Sequence, residues 1–371
     1  MAPGFLANIL RKTPTVAQLA SRGVLSVSGS QAPEFLNGLL STSVPSPPKG
    51  PFYSAFLHAQ GRVMYDVFLY TTTTPAGKPG YLLEYDSRSS EAPSLLPMLK
   101  RHILRSKVKI RDVSEEFDVW AAWGSESLPE IPKSWSWSRS GVVEPSWEST
   151  EWPWGAQDET LMDQRAPGMG QRLLTRKGDK PAEALSYDIG SPSDYLLHRI
   201  ALGVPEGSTD IVPMHAFPME SNIDIMGGLD FRKGCYVGQE LTVRTYHTGM
   251  VRKRILPVLL HRSGETPQIA DPVPEFPLHL DIRPIRINQP SGDKPLPRPR
   301  GTGKLLSTHG QYGLALLRLE HVESALNNEL TLEIENPGDG KIWQASPRWP
   351  SWWPEPIAEE EYNRLAEAAS V

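Results

Sequence analysis

Val24-Leu25-Ser26-Val27 alternates like a strand, Ser30 offers a cap for a helix through Phe35-Leu36 to Leu40, and Phe52 to Leu57 reads as the next strand. Gly61 marks a hairpin turn. Val63 to Thr72 and Gly80 to Tyr85 supply two further strands, and Leu95 to Leu104, with Pro97 in its first turn, a helix, so the fold begins near Ala17 as an α+β unit with a meandering antiparallel sheet. From Lys107 to Trp123 two short strand patterns flank an acidic turn. Further on, Ser191-Pro192-Ser193-Asp194 has the cap and first-turn proline of a helix start; the helix Tyr195 to Leu202 stops at Gly203 and is expected to pack on the sheet. After Arg254 the pattern becomes all-β: Leu256 to His261, Gly303 to Ser307, Gly313 to Val322 and Glu329 to Glu335 are short apolar or alternating runs that fit a small barrel. Glu265 to Arg300 holds nine prolines and few periodic apolar positions, which reads as a long insertion loop. The tail from Pro347 is rich in Trp and Pro and ends in an acidic helix, Ala358 to Ala369.

These patterns divide the chain into a start (1–16), an α+β domain (17–106), a second α+β domain (107–250), a barrel (251–346) interrupted at 265–300, and a tail (347–371). At the start, Arg11, Lys12 and Arg22 precede the first acidic residue, Glu34. The tail of a mitochondrial presequence has that composition, and so has a solvated first helix on a folded domain.

A length of 371 residues accommodates two or three domains, and a hydrophobic content of 39%, a charged content of 22% and a net charge of -5 fit a folded globular chain. No apolar run approaches the roughly 20 residues needed to span a bilayer. The acidic balance argues against a dedicated nucleic-acid binder. Seven tryptophans lie between Trp120 and Trp154, but the charges among them are mostly acidic, whereas a base-stacking platform needs a positive groove; core packing and loop anchoring are the expected roles. Asp163 to Arg172, with paired arginines and turn residues, suggests a crossing strand with an Arg-carboxylate contact, a surface salt bridge being the plainer reading. In the loop Met214 to Asn222, Glu220 and Asn222 either face a cavity or lie exposed.

The chemistry concentrates between Gly228 and Arg254. Cys235, the only cysteine, sits between Gly234 and Gly238, ahead of a short amphipathic helix from Gln239 to Tyr246. A lone cysteine is most often a small buried hydrophobe. Flexible backbone, clustered cations and the Gln239-Glu240 pair suit a reactive or metal-binding thiolate better than a core position, with Arg232, Lys233, Arg244 and the helix start expected to favour the thiolate. Arg252, Lys253 and Arg254 extend the basic run into an expected docking face for an acidic partner. One cysteine excludes an intrachain disulfide and any cluster held by this chain's thiolates alone, because such sites usually take about four ligands; any cluster here is shared.

Lys233-Gly234-Cys235-Tyr236-Val237-Gly238-Gln239-Glu240 resembles the signature of the YgfZ-type iron-sulfur cluster assembly factors, which are similar in fold to the aminomethyltransferase of the glycine cleavage system. Phe35 to Leu39, Gly61-Arg62, Asp163 to Arg172, His198 to Gly207 and Gly313 to Arg318 agree as well, so the resemblance covers about residues 20 to 345, and the basic start points to the mitochondrial branch. It implies an α+β, aminomethyltransferase-like body with antiparallel sheets around a central folate-sized cavity, plus a carboxy-terminal β-barrel, located in the mitochondrial matrix. It also implies that Cys235 helps an A-type carrier hold a bridged [2Fe-2S] cluster for [4Fe-4S] client enzymes, with Lys233, Gly234, Tyr236, Gly238, Gln239, Glu240 and Arg244 in support. The alternative is a folate-dependent transferase using tetrahydrofolate, with Asp66, Glu220 and Asn222 as polar contacts and Cys235 dispensable. Against it, the enzyme branch carries paired aspartates after two hairpin glycines, whereas here Tyr65 precedes Asp66 and Arg62 stands in place of the second glycine, so acid-base chemistry on a folate adduct is not expected.

Overall fold

The computed structural model describes residues 13–74, 77–125, 133–148, 151–156, 159–264, 273–287 and 301–354. The first strand, β1 (Thr15–Gln18), crosses away from the elements that follow it and pairs in a later sheet. The next strands, β2 (Arg22–Ser28), β3 (Phe52–Leu57), β4 (Val63–Thr73), β5 (Pro79–Asp86) and β6 (Lys109–Asp112), form a five-stranded antiparallel sheet in the order β3-β4-β5-β2-β6. From Val63 to Tyr70, β4 is buried on both faces, which is why its sequence runs nearly continuously apolar instead of alternating.

A second sheet takes β7 (Phe117–Trp123), β10 (Thr160–Met162), β11 (Gln171–Arg176) and β12 (Asp188–Ile189), with β1 inserted between β7 and β12. Ala17, Phe68, Trp123 and Val251 belong to one apolar cluster, so both sheets and the segment entering the barrel share a core. Between the sheets lies a seam of buried charge. Arg22 Nε donates to Glu84 Oε1 at 2.7 Å, Arg172 Nη1 lies 3.2 Å from that oxygen, and Arg172 and Arg165 both pair with Glu206. Tyr195 donates its hydroxyl to Glu206 at 2.9 Å, and Asp163 holds Arg165 at 2.7 Å. The Asp163–Arg165 contact therefore lies in the interior, not on the surface as a plain salt bridge would.

The tryptophan-rich tract forms a hairpin, β8 (Lys133–Trp137) and β9 (Val143–Trp147), that anchors other parts of the chain. Trp135, Trp147 and, from the segment beyond the barrel, Trp352 surround Lys133 Nζ at 5.2, 5.5 and 5.8 Å, and Nζ donates to the Gln164 carbonyl at 2.5 Å. Burial among these rings pulls the Lys133 ammonium down to about 7.

Six strands close the barrel: β13 (Lys253–Arg262), β14 (Asp281–Arg286), β15 (Gly303–His309), β16 (Tyr312–Arg318), β17 (Leu330–Asn336) and β18 (Lys341–Pro347). The expectation of an element-free insertion over 265–300 is corrected here, because β14 falls within it and pairs with β15 and β17. The helix Pro192–Leu202 has the expected cap and first-turn proline, with Ser191 and Asp194 completing a capping box, and ends at Gly203 with φ 69°. It packs mainly on the outside of the barrel, where Leu196 and Ile200 meet Ile255, Leu306 and Leu314, and only its other side reaches the second sheet. Arg11 and Lys12 of the expected start, and the acidic helix Ala358 to Ala369, lie outside the described residues.

Candidate functional site

Cys235 stands on a strap, residues 228 to 237, laid across the chain segment that follows the helix Ala32–Asn37. Ser41 donates its hydroxyl to the Gly228 carbonyl at 2.6 Å, and its own carbonyl accepts from Asp230 N at 3.0 Å. At the other end Val237 N donates to the Gly38 carbonyl at 3.1 Å. Midway, Lys233 Nζ donates to the carbonyls of Asn37, Leu40 and Thr42 at 2.7, 2.7 and 3.0 Å. Asn37 ends that helix and Leu40 and Thr42 follow it, so one ammonium with three N–H donors ties the helix end to the turn beyond it. Gly234 and Cys235, between these fixed points, are exposed.

The helix Gln239–Thr248 follows, and the residues around its start lock the strap's end. Tyr236 is buried under Lys233, with Nζ 4.7 Å from the ring centre, and its hydroxyl meets Thr242 Oγ1 at 3.0 Å. Gln239 accepts from Tyr236 N through its side chain at 3.1 Å. Gly238 is left-handed, with φ 84°, and lies against the hairpin between β3 and β4, whose Gly61 touches Leu241 in turn. Glu240 and Arg244 are exposed one turn apart on this helix.

The cations expected around the thiol are mostly engaged elsewhere. Lys233 serves the carbonyls described above, and desolvation lowers its ammonium to about 8. Arg254 is buried, paired with Asp224 at 2.5 Å and bonded to the Met219 carbonyl at 2.6 Å, so it belongs to no docking face. Arg232 is exposed and reaches Glu144 at 3.5 Å. Arg232, Arg244 and Arg252 remain as exposed cations of the run. The helix begins four residues after Cys235, beyond a turn in which Gln239 and Tyr236 are bonded to each other.

Asp66, Glu220 and Asn222 are not brought together as one site. Asp66 is buried beside the charge seam, accepts from Gly207 N at 3.1 Å, and is pushed up by desolvation against the pull of Arg22. Asn222, also buried, donates to the Ile255 carbonyl of β13 at 2.7 Å. Glu220 is half-buried, and desolvation raises its carboxyl although Lys253, Arg62 and Arg318 oppose it. None of these partners is common to Asp66 and Glu220. The stretch 214–222 is not the exposed loop of the plainer reading: Met219, Ser221 and Asn222 are all buried. Lys233's anchoring role was not legible, because its acceptors stand 191 to 196 residues away in sequence.

Replacing Lys233 by glutamine should cost about 2 kcal/mol of stability, the loss of up to three hydrogen bonds from a charged donor, and should raise proteolytic cleavage within 228–237. The pH dependence has a definite sign. Its folded value, about 8, lies below the ordinary 10.5, so the unfolded chain holds the proton more tightly and the native chain's stability gains as pH rises from about 8 to 10.5. Urea titrations of the two proteins across that range test this, and parallel pH profiles would rule the assignment out.

Among the described residues no group of three or more His, Cys, Asp or Glu is placed to hold a metal ion, and no helix is long and apolar enough to cross a membrane. Chemically the strap offers one thiol, held still and open to a partner. A model of the CAF17 C-terminal beta-barrel domain matches residues 252–355. The aminomethyltransferase T of the glycine cleavage system from Bartonella henselae shares the fold over 94% of this chain and 88% of its own, with TM-score 0.57 and 12% identity. The class is therefore an aminomethyltransferase-like body with a CAF17-type barrel, presenting a single thiol.

Two fungal relatives are named iron-sulfur cluster assembly factor IBA57 homolog, mitochondrial. That of Cryptococcus neoformans is 42% identical over 84% of this chain and 85% of its own. That of Pyricularia oryzae is 38% identical over 86% of this chain and 76% of its own. The chain belongs to the IBA57 family of mitochondrial iron-sulfur cluster assembly factors.

Proposed function

We propose that this chain acts in the mitochondrial matrix, where Cys235 contributes one thiolate to a [2Fe-2S] cluster bridged to an A-type carrier protein, on the way to [4Fe-4S] client enzymes. The observation that carries the reading is the strap: three anchors hold the backbone on either side of Cys235 while the thiol itself stays exposed. A resident cluster would need further soft ligands, and this chain has no second cysteine, so the cluster is cargo completed by the partner's thiolates. Exposed Arg232 and Arg244 supply the electrostatic part of docking, and the short-range contact comes from the strap.

The protein alone should form no coloured cluster. Mixed with carrier, iron and sulfide it should develop a visible circular-dichroism spectrum distinct from the carrier's own, and Cys235→Ser should abolish that difference. An identical spectrum from the variant mixture would leave the cluster wholly to the carrier. A calorimetric arm with reduced tetrahydrofolate separates the enzyme reading: binding that survives Cys235→Ser and fails in Asp66→Asn would move the function to the protein's interior.

A further inference from the structure

At one end of the barrel three arginines line a cavity of ≈ 440 Å³. Arg252 immediately precedes β13, Arg286 ends β14 and Arg318 ends β16, so the ends of three strands bring arginines to one place. The arrangement is held from below, since Leu319 N donates to the Arg252 carbonyl at 3.0 Å and fixes that residue against the helix Leu319–Leu326. Arg252 and Arg286 are exposed, and neither forms an ion pair among the described residues. Arg318 has one side on Glu320, at 3.2 Å, while its Nε is buried and has no acceptor. Three like charges around one small volume repel one another, and a fold that needed none of them for its core would gain by separating them.

We propose that this cavity binds a phosphate group, as a polyphosphate or a phosphate ester. Three guanidinium forks approaching from different strands match a tetrahedral group with three acceptor oxygens and nearly two charges; a carboxylate, with two oxygens and one charge, is satisfied by a single fork. The volume lies within the range of small-ligand sites. Glu320 and Glu329 also line the cavity, and they leave the arginines in excess by one charge. Glu320 holds Arg318 through Nη1, so that glutamate competes with an incoming phosphate for this guanidinium. His321 is buried, and desolvation lowers its pKa, so it offers a neutral N–H and no further positive charge.

Titration calorimetry of the full chain with pyrophosphate, with adenosine diphosphate and with glutarate tests the assignment. Pyrophosphate should bind with one site per chain, and the double variant Arg252→Gln/Arg286→Gln should weaken it by tenfold or more. Both side chains are exposed, so the variant should keep the parent's thermal transition, which is measured alongside. Glu320→Gln should bind several-fold more tightly by removing the internal competitor. Tighter binding of adenosine diphosphate than of pyrophosphate identifies the source as a nucleotide, and the reverse order identifies free polyphosphate. No heat at millimolar pyrophosphate, affinity unchanged in the double variant, or equal affinity for glutarate would each overturn the proposal.

Discussion

Glu206→Ala is expected to destabilise this protein by about 3–5 kcal/mol, a large part of the roughly 5–15 kcal/mol that holds a domain folded. The reason lies in what the carboxylate leaves behind. Arg165 and Arg172 have fully buried side chains, both pair with Glu206, and Tyr195 donates to it as well. Removing the carboxylate strands two guanidinium groups where water cannot reach them, although Arg165 retains Asp163 and Arg172 retains Glu84. Burial alone would raise the Glu206 pKa, but Arg172 and then Arg165 more than reverse that and hold it well below 4.5. A carboxyl lowered in the folded state contributes stability that is present above its unfolded pKa, near 4.5, and lost as pH falls through the folded value. The parent should therefore show an acid-unfolding limb that is shallower in Glu206→Ala. Urea denaturation at pH 7 and at a series of lower pH values measures both effects, and a loss below about 1 kcal/mol at pH 7 would show that the seam tolerates uncompensated arginines.

The parts of this architecture written in local pattern were legible in the sequence. The helix start at Ser191, the stop at Gly203 and the hairpin turn at Gly61 each depend on a few adjacent residues, and each formed as expected. Strand β14 escaped because its pattern is unlike that of its neighbours: Ile282 and Pro284 are its buried positions, with Arg283, Ile285 and Arg286 exposed between and after them. A proline argues against a paired strand, yet Pro284 stands beyond Ile282, where the pairing with β15 ends, so one side of the backbone there has no ladder to complete. The strap shows the same division. Its glycines and cysteine were conspicuous in the sequence, but the basic run around them was not one surface: Lys233 and Arg254 turned inward to carbonyls and a carboxylate supplied from distant segments. Charge in sequence reports how many cations are present, and only tertiary partners decide which of them remain available.

The two glycines that flank Cys235 should respond to the same substitution in opposite ways. At Gly238 a Cβ would stand 2.4 Å from the His58 carbonyl oxygen and 2.7 Å from Leu57 Cβ, and φ is +84°, a conformation that side chains other than glycine's adopt at a cost. The obstructing oxygen belongs to the hairpin backbone and cannot swing aside as a flexible side-chain tip would. Gly238→Ala should therefore lower stability by about 3 kcal/mol, combining backbone strain with the displacement of a packed neighbour. It should also shift the end of the strap, because Tyr236 and Gln239 on either side are bonded to each other. Gly234 has no atom within 4 Å of its Cβ position, so Gly234→Ala should leave thermal stability within about 0.5 kcal/mol of the parent. If Cys235 meets the carrier as proposed, the added methyl beside it enters the contact and should reduce formation of the bridged cluster while the fold stays intact. Calorimetric unfolding of both variants, read beside the visible circular-dichroism assay, separates these effects. A stable Gly234→Ala protein that assembles the cluster as fast as the parent would mean that the open space beside the thiol is not occupied by the partner. A Gly238→Ala protein as stable as the parent would show that the hairpin gives way where its backbone is expected to hold firm.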